Sequence, residues 1–117
     1  MKYFANQSNI LFHVGAYEDK NFVPIKGLQA QNIAGATIVN SNIQAFVQID
    51  SFTVCIYSCD TIGYREILNV GYTISDEVKK EFSTLKEKDI IVFKNIHLRR
   101  SDRTRFILNP VVLFMIE

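Results

Sequence analysis

Four arginines, Arg99, Arg100, Arg103 and Arg105, crowd seven positions, with His97 beside them. Guanidinium groups bind oxyanions bidentately, so such a cluster suits an anion or phosphate contact. The competing reading is a solvated hairpin whose charges keep a sheet edge from pairing with other chains. The second reading is favoured. A nucleic-acid binder interleaves aromatics with its basic residues, and only Phe106 does so here. His13 and His97 have no Ser, Cys or carboxylate neighbour in motif spacing, so they read as surface or partly packed groups rather than catalysts. Asp50, Asp60, Asp76, Glu77, Asp89 and Asp102 fall at predicted turns and caps, where carboxylates accept from backbone amides. Cys55 and Cys59, four apart in a strand, would stand about 13 Å from each other, beyond the reach of a disulfide. They read as small hydrophobes. No EF-hand run, glycine-rich phosphate loop or zinc spacing occurs. Catalytic residues, cofactor-binding residues and metal ligands are therefore all expected to be none.

The elements that would position these groups are constrained by composition. The 117 residues fit one domain, 48% hydrophobic and 21% charged, with a net charge of +1. A chain of this size can bury a core without disulfides or metals. The charge balance excludes a global electrostatic footprint for nucleic acid or anionic lipid, and the apolar content excludes disorder. The longest apolar run, residues 111–116, is six residues. A membrane span needs about 20, so no transmembrane segment is expected. At the amino terminus, Lys2-Tyr3-Phe4-Ala5 precedes the polar Asn6-Gln7-Ser8-Asn9. A secretory signal needs about seven to fifteen apolar residues there. The chain thus reads as cytoplasmic or as beginning after a removed leader. Residues 1–9 are expected to be a polar tail and residues 10–117 a single domain.

Most of that domain reads as strand. Residues 10–14 alternate Ile10, Phe12 and Val14, with His13 opposite. Residues 22–25 contain Pro24, which lacks an amide hydrogen and belongs at an edge or in a loop. Residues 27–35 fit neither period well and admit a short helix. Residues 42–58 are the longest extended stretch. Ile43, Ala45, Val47 and Ile49 share one parity, and Phe52, Val54 and Ile56 take the other. The switch at Asp50-Ser51 demands a turn, a bulge, or burial on both faces. After the break at 59–63, residues 64–72 return as a strand with Leu68, Val70 and Tyr72 on one face. One amphipathic helix is signalled at about residues 75–86. Thr73 or Ser75 can cap it, Asp76 and Glu77 suit its first turn, and Val78, Phe82 and Leu85 form its stripe. Residues 90–98 then form a strand that starts in the core. A turn at 100–103, a returning strand at 104–108, the break Asn109-Pro110 and a terminal strand at 111–116 follow. The expected fold is mainly β (α+β): an antiparallel sandwich-like domain with one helix and a carboxy-terminal hairpin plus strand.

Several of these runs are shared with one family. Tyr72-Thr73-Ile74-Ser75-Asp76-Glu77, Leu85-Lys86, Ile91-Val92-Phe93-Lys94-Asn95-Ile96 and Leu108-Asn109-Pro110-Val111-Val112-Leu113 resemble the carboxy-terminal domain of the GldM/PorM family. Members of that family are shaft proteins of Bacteroidetes gliding motility and type IX secretion. Ser51-Phe52-Thr53-Val54 is similar to the family's central strand, and Phe12-His13-Val14 with Gly27 to its first strand and following glycine. The resemblance spans residues 10–116 and is densest over 51–116. The chain departs from the pattern at Lys86-Glu87-Lys88, at Cys59 to Gly63 and at Arg100-Ser101-Asp102-Arg103. Such departures suit a remote or stand-alone member. The resemblance implies a non-catalytic, periplasmic domain that binds protein partners, envelope components among them, and forms a homodimer. The alternative is a small nucleic-acid or anion-binding β-barrel that uses the Arg99–Arg105 hairpin, although no nucleic acid is expected as a partner. An enzyme is the least favoured class.

Overall fold

Where apolar side chains alternate, the chain is extended. The computed structural model runs β1 (Tyr3–Phe4), β2 (Ile10–Val14), β3 (Phe22–Pro24), α1 (Ile25–Gln29), β4 (Ala34–Ile38), β5 (Val47–Tyr57), β6 (Tyr64–Val70), α2 (Asp76–Phe82), β7 (Ile90–Arg100), β8 (Arg105–Leu108) and β9 (Val111–Ile116). It describes residues 3–4, 10–38, 47–59, 63–100 and 103–117. The mainly β class, the sandwich-like packing and the carboxy-terminal hairpin with its following strand are as the patterning predicts. The expected strand residues 42–46, the turn residues Asp60 to Ile62, and Asp102 lie outside the described residues.

The main sheet is ordered β1-β8-β7-β5-β6, and β9 joins β7 and carries β3 on its other side. Strands β8 and β9 share one edge of β7, β8 along residues 96–99 and β9 along residues 90–93. The Asn109-Pro110 break falls between these two ladders, where Pro110 has no ladder bond to give. Two pairings are parallel, β1 with β8 and β3 with β9. Pro24 sits in β3, the outermost strand on that side, as its missing donor requires. Tyr3–Phe4, within the segment expected as a tail, is the strand that pairs with β8.

The parity switch in β5 is a bulge, and β7 answers it. Ile49 faces Leu98, Ser51 faces His97 and Thr53 faces Lys94. Between the first two pairs β5 carries the extra residue, Asp50. Between the second and third β7 carries one, at Asn95, whose φ is 50°. The two irregularities cancel, so the strands pair in one register at both ends. Ile91 and Phe93 point inward below the bulge, and Ile96 and Leu98 point inward above it.

A second sheet, β2 with β4, lies over the inner face of the first. Three rings meet there. Phe12 of β2 approaches Phe52 at 5.5 Å and Phe93 at 5.4 Å, and Phe52 and Phe93 are 5.8 Å apart. Such tilted and edge contacts contribute about 0.5–1.5 kcal/mol each beyond burial. Gly71, at φ 84°, turns the chain out of β6. Ala34 N then donates to Tyr72 O and Ile74 N to Asn32 O, each at 2.8 Å, which ties the two sheets together. Fully buried Asn69 secures the same corner. Its amide donates to Gly71 O and Thr73 O and accepts from Ser75 N.

Ser75, not Thr73, caps α2, with its hydroxyl accepting from Val78 N at 3.2 Å. The helix ends at Phe82, four residues short of the expected limit. Ser83 and Thr84 turn their hydroxyls onto the carbonyls of Lys80 and Glu81, which competes with further helix. Leu85 is still buried, now from the following turn. The ambiguous stretch begins with α1, whose Gln29 donates to Phe82 O at 2.8 Å. Asp89, 2% exposed, accepts from Cys59 N and Lys86 N, the amide-satisfying role expected of it.

Phe82 is 1% exposed, so Phe82→Ala should cost about 3–5 kcal/mol in a urea melt. Deleting Asp50 alone, or Asn95 alone, slides one half of the β5–β7 ladder by a residue and should be severely destabilising. Deleting both restores a common register. The double deletion should therefore be more stable than either single one in the same melt.

Candidate interaction surface

Strand alternation gives the main sheet two faces. Phe52, Val54, Ile56, Ile91 and Phe93 point inward and are fully buried. Their neighbours of opposite parity point out. Register puts Tyr57 between Tyr64 and Ile90, and Val92 between Cys55 and Val112. It also puts Phe114 between Ile90 and Phe22. The outer face is therefore apolar across five strands, from β3 through β9, β7 and β5 to β6. Tyr57 and Tyr64 pack at 4.8 Å, and Phe22 stacks on Phe114 at 5.3 Å. Val70 is 76% exposed, Phe22 68% and Leu68 61%. Of the ten large hydrophobic residues exposed among the described residues, seven lie on this face: Phe22, Tyr57, Tyr64, Leu68, Val70, Ile107 and Ile116. A gathering of exposed apolar side chains on one face is the mark of an interaction surface.

Both parities are apolar over residues 90–93 and 111–116, which reads as a strand starting in the core and a terminal strand apolar on both faces. The structure buries one parity only. Ile90, Val92, Val112 and Phe114 are half-buried by one another on the open side. The period-2 signal names two faces but does not say which one the protein covers.

A polar group built around Glu66 lies within this surface. Lys94 Nζ lies 3.3 Å from Glu66 Oε2, and the Tyr64 hydroxyl donates to the same oxygen at 2.5 Å. Cys55 Sγ lies 3.4 Å from that hydroxyl. Hydrogen bonds from Tyr64 and then Lys94 hold the Glu66 carboxyl below its ordinary range. Lys94 is raised in return, mainly by its bond to Glu66. Tyr64 is raised because its proton is held against Cys55 and Glu66. The cluster is thus a neutral, internally paired island. Nothing in the sequence announced it, since Glu66 and Lys94 are 28 residues apart and meet only through β5.

The arginines do not converge. Arg99 lies on the outer face, 3.4 Å from Asp50, and is the cross-strand neighbour of Arg105. Arg100 has the opposite parity, and its guanidinium sits 5.8 Å from the Phe106 ring centroid. Arg103 is exposed in the turn at φ 69°. The histidines belong to different sheets. His97 is on β7, opposite Ser51 and Ile107. His13 is on β2, where its ring bonds Gly15 O and Thr37 Oγ1, both at 3.0 Å. The ring lies across Gly35, where a Cβ would come within 2.5 Å of its Cε1. Glycine is what makes room for it.

Clefts open at the sandwich margins among the described residues. One, of about 380 Å³, lies between β2, Glu18, Asp19 and the Leu108–Val111 turn. Another, of about 360 Å³, is lined by Ala34, Gly35, Val47, Gln48, Ile49 and Tyr72. Neither lining includes a histidine. Among the described residues, no three His, Cys, Asp or Glu side chains stand close enough to hold a metal ion, and no helix is long and apolar enough to cross a membrane. Cys55 is buried and Cys59 is exposed, and the two are not joined by a disulfide. The chain matches no family model and no curated protein.

The paired island has a defined pH signature. Glu66 is depressed, so its contribution is present above the ordinary carboxylate range and is lost as pH falls through the lowered value. Lys94 is raised, so its contribution is present below the ordinary ammonium range and is lost as pH rises through the raised value. An NMR titration should place the Glu66 midpoint below the usual value of about 4.3. Tyr64→Phe should move that midpoint back up, and an unmoved midpoint would contradict the assigned cause.

Proposed function

We propose that the chain is a non-catalytic protein–protein interaction domain of an extracytoplasmic assembly, related to type IX secretion or gliding. The observation that carries the reading is the outer face, where seven of the ten large hydrophobics exposed among the described residues gather on one surface. Aromatic anchors such as Phe22, Tyr57 and Phe114 are the residue types on which protein interfaces concentrate affinity. The island at Glu66 and Lys94 suits the same use. Its charges are already paired, so covering them leaves no charge stranded. The resemblance of residues 51–116 to a periplasmic shaft domain supplies the assembly and the compartment. The anion-binding alternative is the weaker reading. Arg99 is held by Asp50, Arg100 lies over Phe106, and the two face opposite sides of the sheet.

Cross-linking of the intact chain in native envelope fractions tests this. The parent should capture a defined envelope protein. Phe114→Lys, which alters only the outer face, should weaken that capture by about thirtyfold, the loss expected of an anchor residue. Equal capture by both chains, or recovery of no envelope protein, would refute the reading. A nucleic-acid mobility shift that fades steeply with salt would establish the alternative instead.

A further inference from the structure

The free edge of β2 forms a lane that is closed at one end by carboxylates. Its phase is fixed at Val14, whose N donates to Tyr17 O and whose O accepts from Tyr17 N, both at 3.0 Å. Backbone groups alternate sides along a strand, so those of Val14, Phe12 and Ile10 all point away from β4. The other strand agrees, because Ala34, the partner of Val14, donates away from β2 to Tyr72 O. Past Gly15 and Ala16 the chain therefore enters the lane beside β2 and runs antiparallel to it. It leaves after one residue. Glu18 O accepts from Asn21 N at 3.1 Å, and Asp19 Oδ1 accepts from Val112 N at 2.8 Å, which carries the segment across to β9. Among the described residues, no strand follows Tyr17 beside Phe12 and Ile10. The space so left is the cleft of about 380 Å³. Its lining includes Ile10, Phe12, Leu108 and Val111, each at most 7% exposed, and the exposed Glu18 and Asp19 close its end.

We propose that this cleft binds the free amino terminus of another protein, held as a short extended strand antiparallel to β2. The open backbone groups of Phe12 and Ile10 call for a ligand with its own alternating donors and acceptors, which an extended peptide supplies. The closed end admits only a chain terminus, since an internal segment would have to run through Glu18 and Asp19. Charge then selects which terminus. A strand antiparallel to β2 continues the direction of Tyr17, so its first residue lies at the closed end with its ammonium beside the two carboxylates. A parallel strand would bring a terminal carboxylate there, against like charge. Register sets the side chains. The first residue falls opposite Phe12 and the third opposite Ile10, so both side chains face the apolar floor, and the second points outward beside Leu11. The ligand is thus an unblocked amino terminus with apolar first and third residues. This chain's own Tyr3–Phe4 does not suit, being already paired with β8.

Calorimetric titration of the intact chain with the synthetic peptide Val-Thr-Val-Gly-Gly tests the proposal. The peptide with a free amine should bind saturably. Its acetylated form should bind at least about tenfold more weakly, because the charge that Glu18 and Asp19 face is gone. Val-Thr-Pro-Gly-Gly should lose about as much, because its third residue has no amide hydrogen to give to Ile10 O. Glu18→Gln should weaken the free-amine peptide by a similar factor and leave the acetylated one unchanged. Glu18 is exposed, so a thermal melt should show that variant folded like the parent. Phe114→Lys, on the outer face, should bind the peptide as the parent does, which keeps this site separate from the surface proposed above. No saturable binding of the free-amine peptide, equal binding of the acetylated or proline-containing peptide, or undiminished binding by Glu18→Gln would each overturn the assignment.

Discussion

The ladder between β5 and β7 is the constraint on which the other elements depend. It is the longest pairing among the described residues, and every other strand of the main sheet is reached through it. Its two bulges are useful only as a pair. One extra residue on β5 would turn the later side chains of that strand to the wrong face. A second extra residue on β7, one step along, reverses the error. Phe52 and Phe93 therefore point into the same interior and meet Phe12 from the covering sheet.

That geometry also explains how the chain can hold a dry core and an apolar exterior at once. The helices, β2 and β4 all pack on the inner face. The side chains of opposite parity remain outside, supporting one another across the strands as Tyr57 with Tyr64 and Phe22 with Phe114 do. The polar island at Tyr64, Glu66 and Lys94 sits among them with its charges matched. Exposed ion pairs contribute little to stability. Its consequence lies in the character of the surface, which carries no net charge at its centre.

Much of the fold could be read from particular residues. The parity change after Ile49 is a bulge. Ser75 caps its helix. Pro24 marks an outermost strand. Asp89 closes onto backbone amides. Each of these is a local requirement of backbone chemistry, which a short window of sequence expresses in full. Where the four arginines point was hidden from the sequence for the complementary reason. Four neighbours in sequence were assigned by strand parity and turn geometry to three different directions.

By itself the sequence determined the class of fold, the position of most strands, two candidate caps for α2 and the need for a break in the β5 pattern. Those properties depend on residues within a turn or two of one another. Only the tertiary structure decided which parity of β7 and β9 faces the interior, that Asn95 offsets Asp50, and that Glu66 meets Lys94. These are outcomes of register between distant strands. Alternating apolar residues look the same whether their face is covered or open, and the difference is made by what else packs there.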